Sequence, residues 1–256
     1  MNQTEPKRFL IVGNWKMNLD IKRAEKLLEQ LCNGVEANQV QTVVCPSVVF
    51  LEQLSLLAGG YVDNVNIGVQ NIHWEESGSF TGEVAVGMID KWAKYVIVGH
   101  SERRHYFAET GVLINKKIKL ALKHGLTPIL CLGEKRFIAS VDVAEIGVDM
   151  MECLNGLTEE EARAVVIAYE PVWAIGSGMS ADPIYVNRII MGLRNWLKDE
   201  YSFDMAERTR FLYGGSVNAK NAKKYLQQPQ VNGLLIGGTS LKARSFLRII
   251  ANAEKL

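Results

Sequence analysis

Eight short apolar runs recur along the chain: FLIVGN (9–14), TVVCP (42–46), NIGVQN (66–71), YVIVGH (95–100), TPILCLG (127–133), VVIAYE (165–170), RFLYGG (210–215) and GLLIGG (233–238). β-branched residues are common in them, and they read as strands. They are continuous rather than alternating, as strands covered on both faces are. Between them the apolar spacing becomes helical. In DIKRAEKLLEQLCNG (20–34), Ile21, Ala24, Leu27, Leu28 and Leu31 form one stripe, with Gly34 as the expected C-terminal stop. Asp182 followed by Pro183 predicts an N-cap with proline at the first helical position, and Val186, Ile189, Ile190, Leu193 and Leu197 continue that helix. Asn218 is expected to begin another helix. Ser240 is expected to cap the last, which runs through Leu241, Phe246, Leu247 and Ile250.

Strand and helix alternate eight times, at an average period of about 30 residues. This rhythm predicts the α/β class and a single (β/α)8 barrel domain over residues 1–256. An open doubly wound sheet also has parallel strands, but no G-x-G-x-x-G follows the first run, so a dinucleotide fold loses its main support. No linker, low-complexity stretch or long charge run divides the chain.

Composition narrows the functional classes. The formal net charge of +1 gives no global field for nucleic acid or an anionic membrane, so any anion site must be built locally. Cys32, Cys45, Cys131 and Cys153 are widely spaced and read as buried, reduced thiols rather than a disulfide framework or zinc site. The N-terminal apolar run, Phe9 to Val12, is too short for a signal peptide, and nothing approaches the ~20 apolar residues of a membrane span. The expected location is cytoplasmic.

In a barrel, function gathers at the C-terminal ends of the strands. Here those ends carry Asn14, Trp15 and Lys16 (first strand), His100, Ser101 and Glu102 (fourth) and Glu170 (sixth). Gly214, Gly215 and Ser216 end the seventh strand, and Gly237 and Gly238 the eighth. Glycine turns that open helices bring N–H groups close to a bound group, which suits phosphate. Taken singly, each residue has a plainer role: a packed histidine, a surface cation, a solvated carboxylate or a helix cap. Convergence on one barrel face is what those plainer roles do not predict. His73, His105 and His124 read as structural or surface residues.

Seven segments in order, GNWKMN (13–18), GSFTGE (78–83), VGHSERRHYF (98–107), CLGE (131–134), AYEPVWAIGSG (168–178), YGGSV (213–217) and IGGTSL (236–241), resemble the triosephosphate isomerase family. The similarity runs from Phe9 to the C-terminus. It implies interconversion of dihydroxyacetone phosphate and D-glyceraldehyde 3-phosphate through an enediolate, in glycolysis and gluconeogenesis, with no cofactor and no metal. By the resemblance, Glu170 is the catalytic base, His100 the electrophile, and Asn14 and Lys16 position the substrate. Gly176, Ser216, Gly237 and Gly238 resemble the phosphate cradle. Ser101, Cys131, Glu102, Glu134, Trp173 and Thr81 are the supporting residues: Glu102 would hold the Lys16 ammonium, and Glu134 would contact Trp173. Residues 171–178 resemble the family's mobile lid. Residues 72–84 resemble its dimer-contact loop, in which Thr81 reaches the neighbouring site of an obligate homodimer. The chain departs from the commoner family pattern at Met179, Ser177, Ser79 and Thr239, none of which removes a reacting group. A Schiff-base aldolase using Lys16 would also suit a barrel and a phosphosugar, but Lys16 sits beside an anion-type site rather than in an apolar pocket. A barrel that only binds phosphosugars is disfavoured by the intact set of Lys16, His100 and Glu170.

Overall fold

A computed structural model describes residues 9–35, 40–61, 65–137, 142–174 and 180–256. The eight apolar runs are eight strands: β1 (Phe9–Asn14), β2 (Val40–Cys45), β3 (Asn66–Val69), β4 (Tyr95–Val98), β5 (Thr127–Leu132), β6 (Val166–Tyr169), β7 (Phe211–Tyr213) and β8 (Gly233–Ile236). Each pairs in parallel with its sequence neighbour, and β1 closes on β8 in a closed barrel. This is the (β/α)8 architecture that the alternation predicts.

Among the described residues the helices are α1 (Ile21–Gly34), α2 (Leu51–Gly59), α3 (Ser101–Tyr106), α4 (Gly111–Lys123), α5 (Ala144–Leu154), α6 (Glu159–Arg163), α7 (Pro183–Glu200), α8 (Phe203–Arg208), α9 (Ala222–Leu226) and α10 (Ala243–Ala253). None is long and apolar enough to cross a membrane. The cap predicted for α7 forms: Asp182 Oδ1 accepts from the N–H groups of Ile184 (2.8 Å) and Tyr185 (3.1 Å), and Pro183 opens the helix.

α1 stops at Gly34 as expected, and the chain leaves through extended Val35. The glycine's small size also serves packing, since a Cβ there would lie 2.6 Å from Leu247 Cδ1 on α10. Two local expectations fail for identifiable reasons. Asn218 does not begin a helix. It heads a turn, accepting from Lys220 N–H at 2.8 Å, and α9 starts only at Ala222. Ser240 does not cap α10, because it sits inside a 3-10 turn (Gly238–Leu241) and its hydroxyl donates back to Gly237 O at 2.7 Å. α10 starts after Lys242, with no side-chain cap.

The apolar residues divide into two bodies. Leu10, Val12, Val43, Ile97, Ile129 and Leu235 belong to the cluster that fills the barrel interior. The alternate strand residues, with the inner faces of the helices, form the larger layer between sheet and helices. All four cysteines are buried free thiols, and burial pushes the thiols of Cys32 and Cys153 up to about 11 and about 12.

Candidate active site

Strand alternation decides which end residues enter the mouth. Side chains two apart share a face, so the interior series Leu10, Val12 continues to Asn14, and Val166, Ala168 continues to Glu170. Both polar residues end their series buried, Glu170 at 2% exposure. They line one cavity of about 670 Å³ together with Lys16, His100, Glu102, Ser216, Gly237 and Gly238. Eight residues singled out in the sequence thus surround a single space.

Lys16 reaches it through a strained backbone. Its φ is +52°, a left-handed conformation that non-glycine residues seldom adopt and that recurs at functional sites. Two contacts hold it there: Lys16 N–H donates to Asn14 Oδ1 (3.0 Å), and Lys16 O accepts from Gln70 Nε2 (2.9 Å). Gln70 also donates to Cys45 O (3.0 Å), tying β2, β3 and the Lys16 turn together. Sequence reasoning missed Gln70. Its only signal was its position near the end of the third apolar run. The Lys16 ammonium donates to Glu102 Oε1 at 2.6 Å, the pairing that the resemblance implied.

His100 is the residue from which α3 springs. Its Nδ1 accepts from Glu102 N–H at 3.2 Å, and Glu102 Oε2 lies farther off at 3.6 Å. An acceptor nitrogen carries no proton, so this bond assigns the neutral tautomer with its hydrogen on Nε2. Nε2 lies 3.2 Å from Glu170 Oε1, and Ser101 N–H donates to Glu170 Oε2 at 3.1 Å. The carboxylate is therefore held by an imidazole N–H and a backbone N–H at a helix start. Gly214 makes room for it: a Cβ there would lie 2.8 Å from Glu170 Cγ. Cys131 lies behind the carboxylate beside Ser101, fully buried, and burial together with the Glu170 charge keeps its thiol protonated.

Across the cavity, β7 and β8 end in Gly214–Gly215–Ser216 and Gly237–Gly238. The 3-10 turn that follows starts with N–H groups that have no acceptor within the turn. Ser216 Oγ donates to Ala174 O at 2.9 Å, joining this rim to the chain that follows Glu170. Outside the rim, Trp173 Nε1 donates to Glu134 Oε1 at 2.7 Å, as the resemblance implied. Thr81 is exposed and does not line its own chain's cavity. Gly176, Met179 and the second half of segment 171–178 (175–178) lie outside the described residues.

A closed parallel barrel with acid–base groups and a glycine-rich rim at its C-terminal mouth defines the class, a (β/α)8-barrel enzyme. Comparison with known proteins makes the assignment specific. The family model Triosephosphate isomerase matches residues 9–253. The triosephosphate isomerase of Clostridium botulinum is 41% identical over 252 residues, covering 95% of this chain and 99% of the relative. That of Clostridium acetobutylicum is 42% identical over 244 residues (94% and 98%), and that of Caldanaerobacter subterraneus 40% over 252 (95% and 99%). The chain belongs to the triosephosphate isomerase family.

Proposed function

We propose that Glu170, His100 and Lys16 carry the family's reaction in this chain, the isomerisation of dihydroxyacetone phosphate and D-glyceraldehyde 3-phosphate. One observation carries this reading: the buried Glu170 carboxylate and His100 Nε2 lie 3.2 Å apart in the cavity that Lys16 enters. A proton next to a carbonyl is weakly acidic, so its removal needs a placed base and stabilisation of the charge that builds on oxygen. Glu170 takes the proton from one carbon and returns it to its neighbour, so one carboxylate serves both half-reactions. To do so it leaves its resting contacts with Ser101 N–H and His100. The freed Nε2–H then donates to the substrate oxygens as they become enediolate. Lys16 supplies positive charge near those oxygens and the phosphate, while Glu102 limits where its ammonium points. Asn14 positions substrate and holds the Lys16 turn. Ser216, Gly237 and Gly238 form the described part of the phosphate cradle, and Gly176 is assigned to its remainder by the resemblance alone. Proton transfer between two carbons moves no electrons to a carrier, so no cofactor or metal is assigned.

Segment 171–178 is read as a lid that keeps water from the enediolate, which in water can lose phosphate instead of being reprotonated. The Ser216–Ala174 bond supports this by tying the root of that segment to the cradle. Loop 72–84 is read as the contact of a homodimer, with Thr81 completing the neighbour's site. Support comes from apolar side chains left bare on the loops after the first four strands: Met17 at 97% exposure, with Val49, Phe80, Tyr106 and Phe107. Contact with a second chain would bury them. The family's place in glycolysis and gluconeogenesis implies a cytoplasmic location.

A coupled assay for the two triose phosphates tests the reaction, and absence of turnover would sink it. Sedimentation with simultaneous assay tests the dimer: a species of two chains carrying all the activity is expected, and a fully active monomer would refute it.

A further inference from the structure

Glu134 is buried, and one of its oxygens accepts three side-chain donors: Trp173 Nε1 (2.7 Å), Tyr169 Oη (2.8 Å) and Tyr185 Oη (3.3 Å). Among the described residues its other oxygen, Oε2, has no hydrogen-bond partner. Around this point stand three rings from three different segments. Phe137, on the loop after β5, lies edge-on to Trp173 with centroids 5.1 Å apart and interplanar angle 73°. Its centroid is 5.3 Å from that of Tyr185, in the first turn of α7, and Trp173 and Tyr185 are 6.3 Å apart at 71°. Tilted and edge-on geometries at these distances are the attractive ones. Phe137 is 55% exposed, so its ring forms the outer wall between the indole and solvent.

The same loop grips the backbone on both sides of the base. Glu170 N–H donates to Leu132 O at 2.7 Å, and Val172 N–H donates to Glu134 O at 3.1 Å. Trp173 follows directly, and Ala174 N–H closes back on Pro171 O at 2.8 Å. Residues 170–174 are thus a short span held at one end by β5 and at the other by the indole inside the ring cluster.

We propose that Phe137 and Tyr185 are positioning residues for the reaction: with Trp173 they form an aromatic box around the Glu134 carboxylate that fixes the chain just after the base. This rests on the reading of Glu170 as base. The box shields the Trp173–Glu134 hydrogen bond from water, and through Val172 it limits how far the Glu170 backbone shifts. Ser216, Gly237 and Gly238 of the phosphate cradle follow β7 and β8, away from the box, so loosening the box misplaces the base more than it weakens substrate binding.

Three variants test this: Phe137→Ala, Phe137→Tyr and Tyr185→Phe. Misplacement of a catalytic group by 1 Å costs about 100-fold in rate, and a partial shift less. Phe137→Ala is expected to lower kcat about 10-fold while changing KM less than about 2-fold. It is also expected to increase the inorganic phosphate released per isomerisation. Phe137→Tyr keeps the ring and is expected to restore kcat to within about 2-fold. Tyr185→Phe, which loses one donor to Glu134, is expected to lower kcat about 3-fold. A Phe137→Ala enzyme with unchanged kcat and phosphate release overturns the proposal, as does a tyrosine variant as impaired as alanine. Should Phe137→Ala lack a cooperative melting transition, Tyr185→Phe decides, and unchanged kcat there overturns it. Glu170→Asp run alongside separates the premise from the inference. Full activity in Glu170→Asp removes the base assignment, whereas loss there with intact Phe137→Ala removes only the box.

Discussion

As the proposed base, Glu170 has two jobs that conflict. It must be basic enough to take a proton, yet at rest it is buried and its two oxygens are held by His100 Nε2 and Ser101 N–H. In the proposed reaction, substrate resolves the conflict by competing for the imidazole proton. Because the carboxylate must span a fixed gap, its length matters as much as its chemistry. Glu170→Asp retracts it by one methylene, roughly 1 Å, and is expected to lower kcat about 100-fold in the triose phosphate assay. Wild-type turnover would show that some other group is the base. Ser216 is a different kind of residue, with its hydroxyl on the rim beside Gly237 and Gly238 and spent at rest on Ala174 O. Ser216→Ala removes the proposed donor to a charged phosphate, so KM is expected to rise about 10-fold with a smaller change in kcat. An unaltered KM would remove Ser216 from the cradle.

At the scale of elements, the barrel depends on helices lying close to one another and to the sheet. α5 and α7 meet where Gly147 faces the Trp196 ring, and a Cβ at 147 would sit 2.5 Å from Trp196 Cδ2 and 2.7 Å from its Nε1. Two effects oppose each other in Gly147→Ala. Alanine favours the helix by about 1 kcal/mol. The collision with a rigid, half-buried ring costs about 1–3 kcal/mol. The collision should win, and urea unfolding is expected to show a net loss of about 1 kcal/mol. A stabilised variant would mean that α5 slides to accommodate the methyl. The same element logic governs the loops after β5 and β6, where the Leu132 and Glu134 carbonyls accept from Glu170 and Val172 N–H groups and hold the chain around Glu170.

For the whole molecule, the balance of buried and surface charge sets the response to acid. Burial pushes the Glu109 carboxyl up, but Lys117 at 2.6 Å, with Arg103, outweighs it and holds Glu109 below its ordinary value. The hydrogen bond from His124 lowers Asp90, and that from Lys123 lowers Glu76. A carboxyl whose folded pKa is depressed adds stability that is fully present above its unfolded value and disappears as pH falls through the folded one. The urea midpoint is therefore expected to be level from neutral pH down to about 5 and to fall below about pH 4. A midpoint that rose on acidification would contradict these pairings.

Much of this protein follows from sequence alone, because its signals are local. The eight strands, the Asp182–Pro183 helix start and the residue types at the strand ends depend on neighbours a few positions away. The motifs at those ends suggest the chemistry by themselves. Other features needed the closed barrel. Continuous apolar strands do not announce which alternate residues point inward, and only closure turns Asn14 and Glu170 into the mouth. Gln70, the left-handed Lys16 and the meeting of Phe137, Trp173 and Tyr185 are contacts between residues tens of positions apart. Ser240 and Asn218 misled for the same reason, since their hydroxyl and amide oxygen were spent on turns that only the surrounding strand ends define. Local propensity selects the elements. The long-range pairing of β1 with β8 decides what each side chain faces.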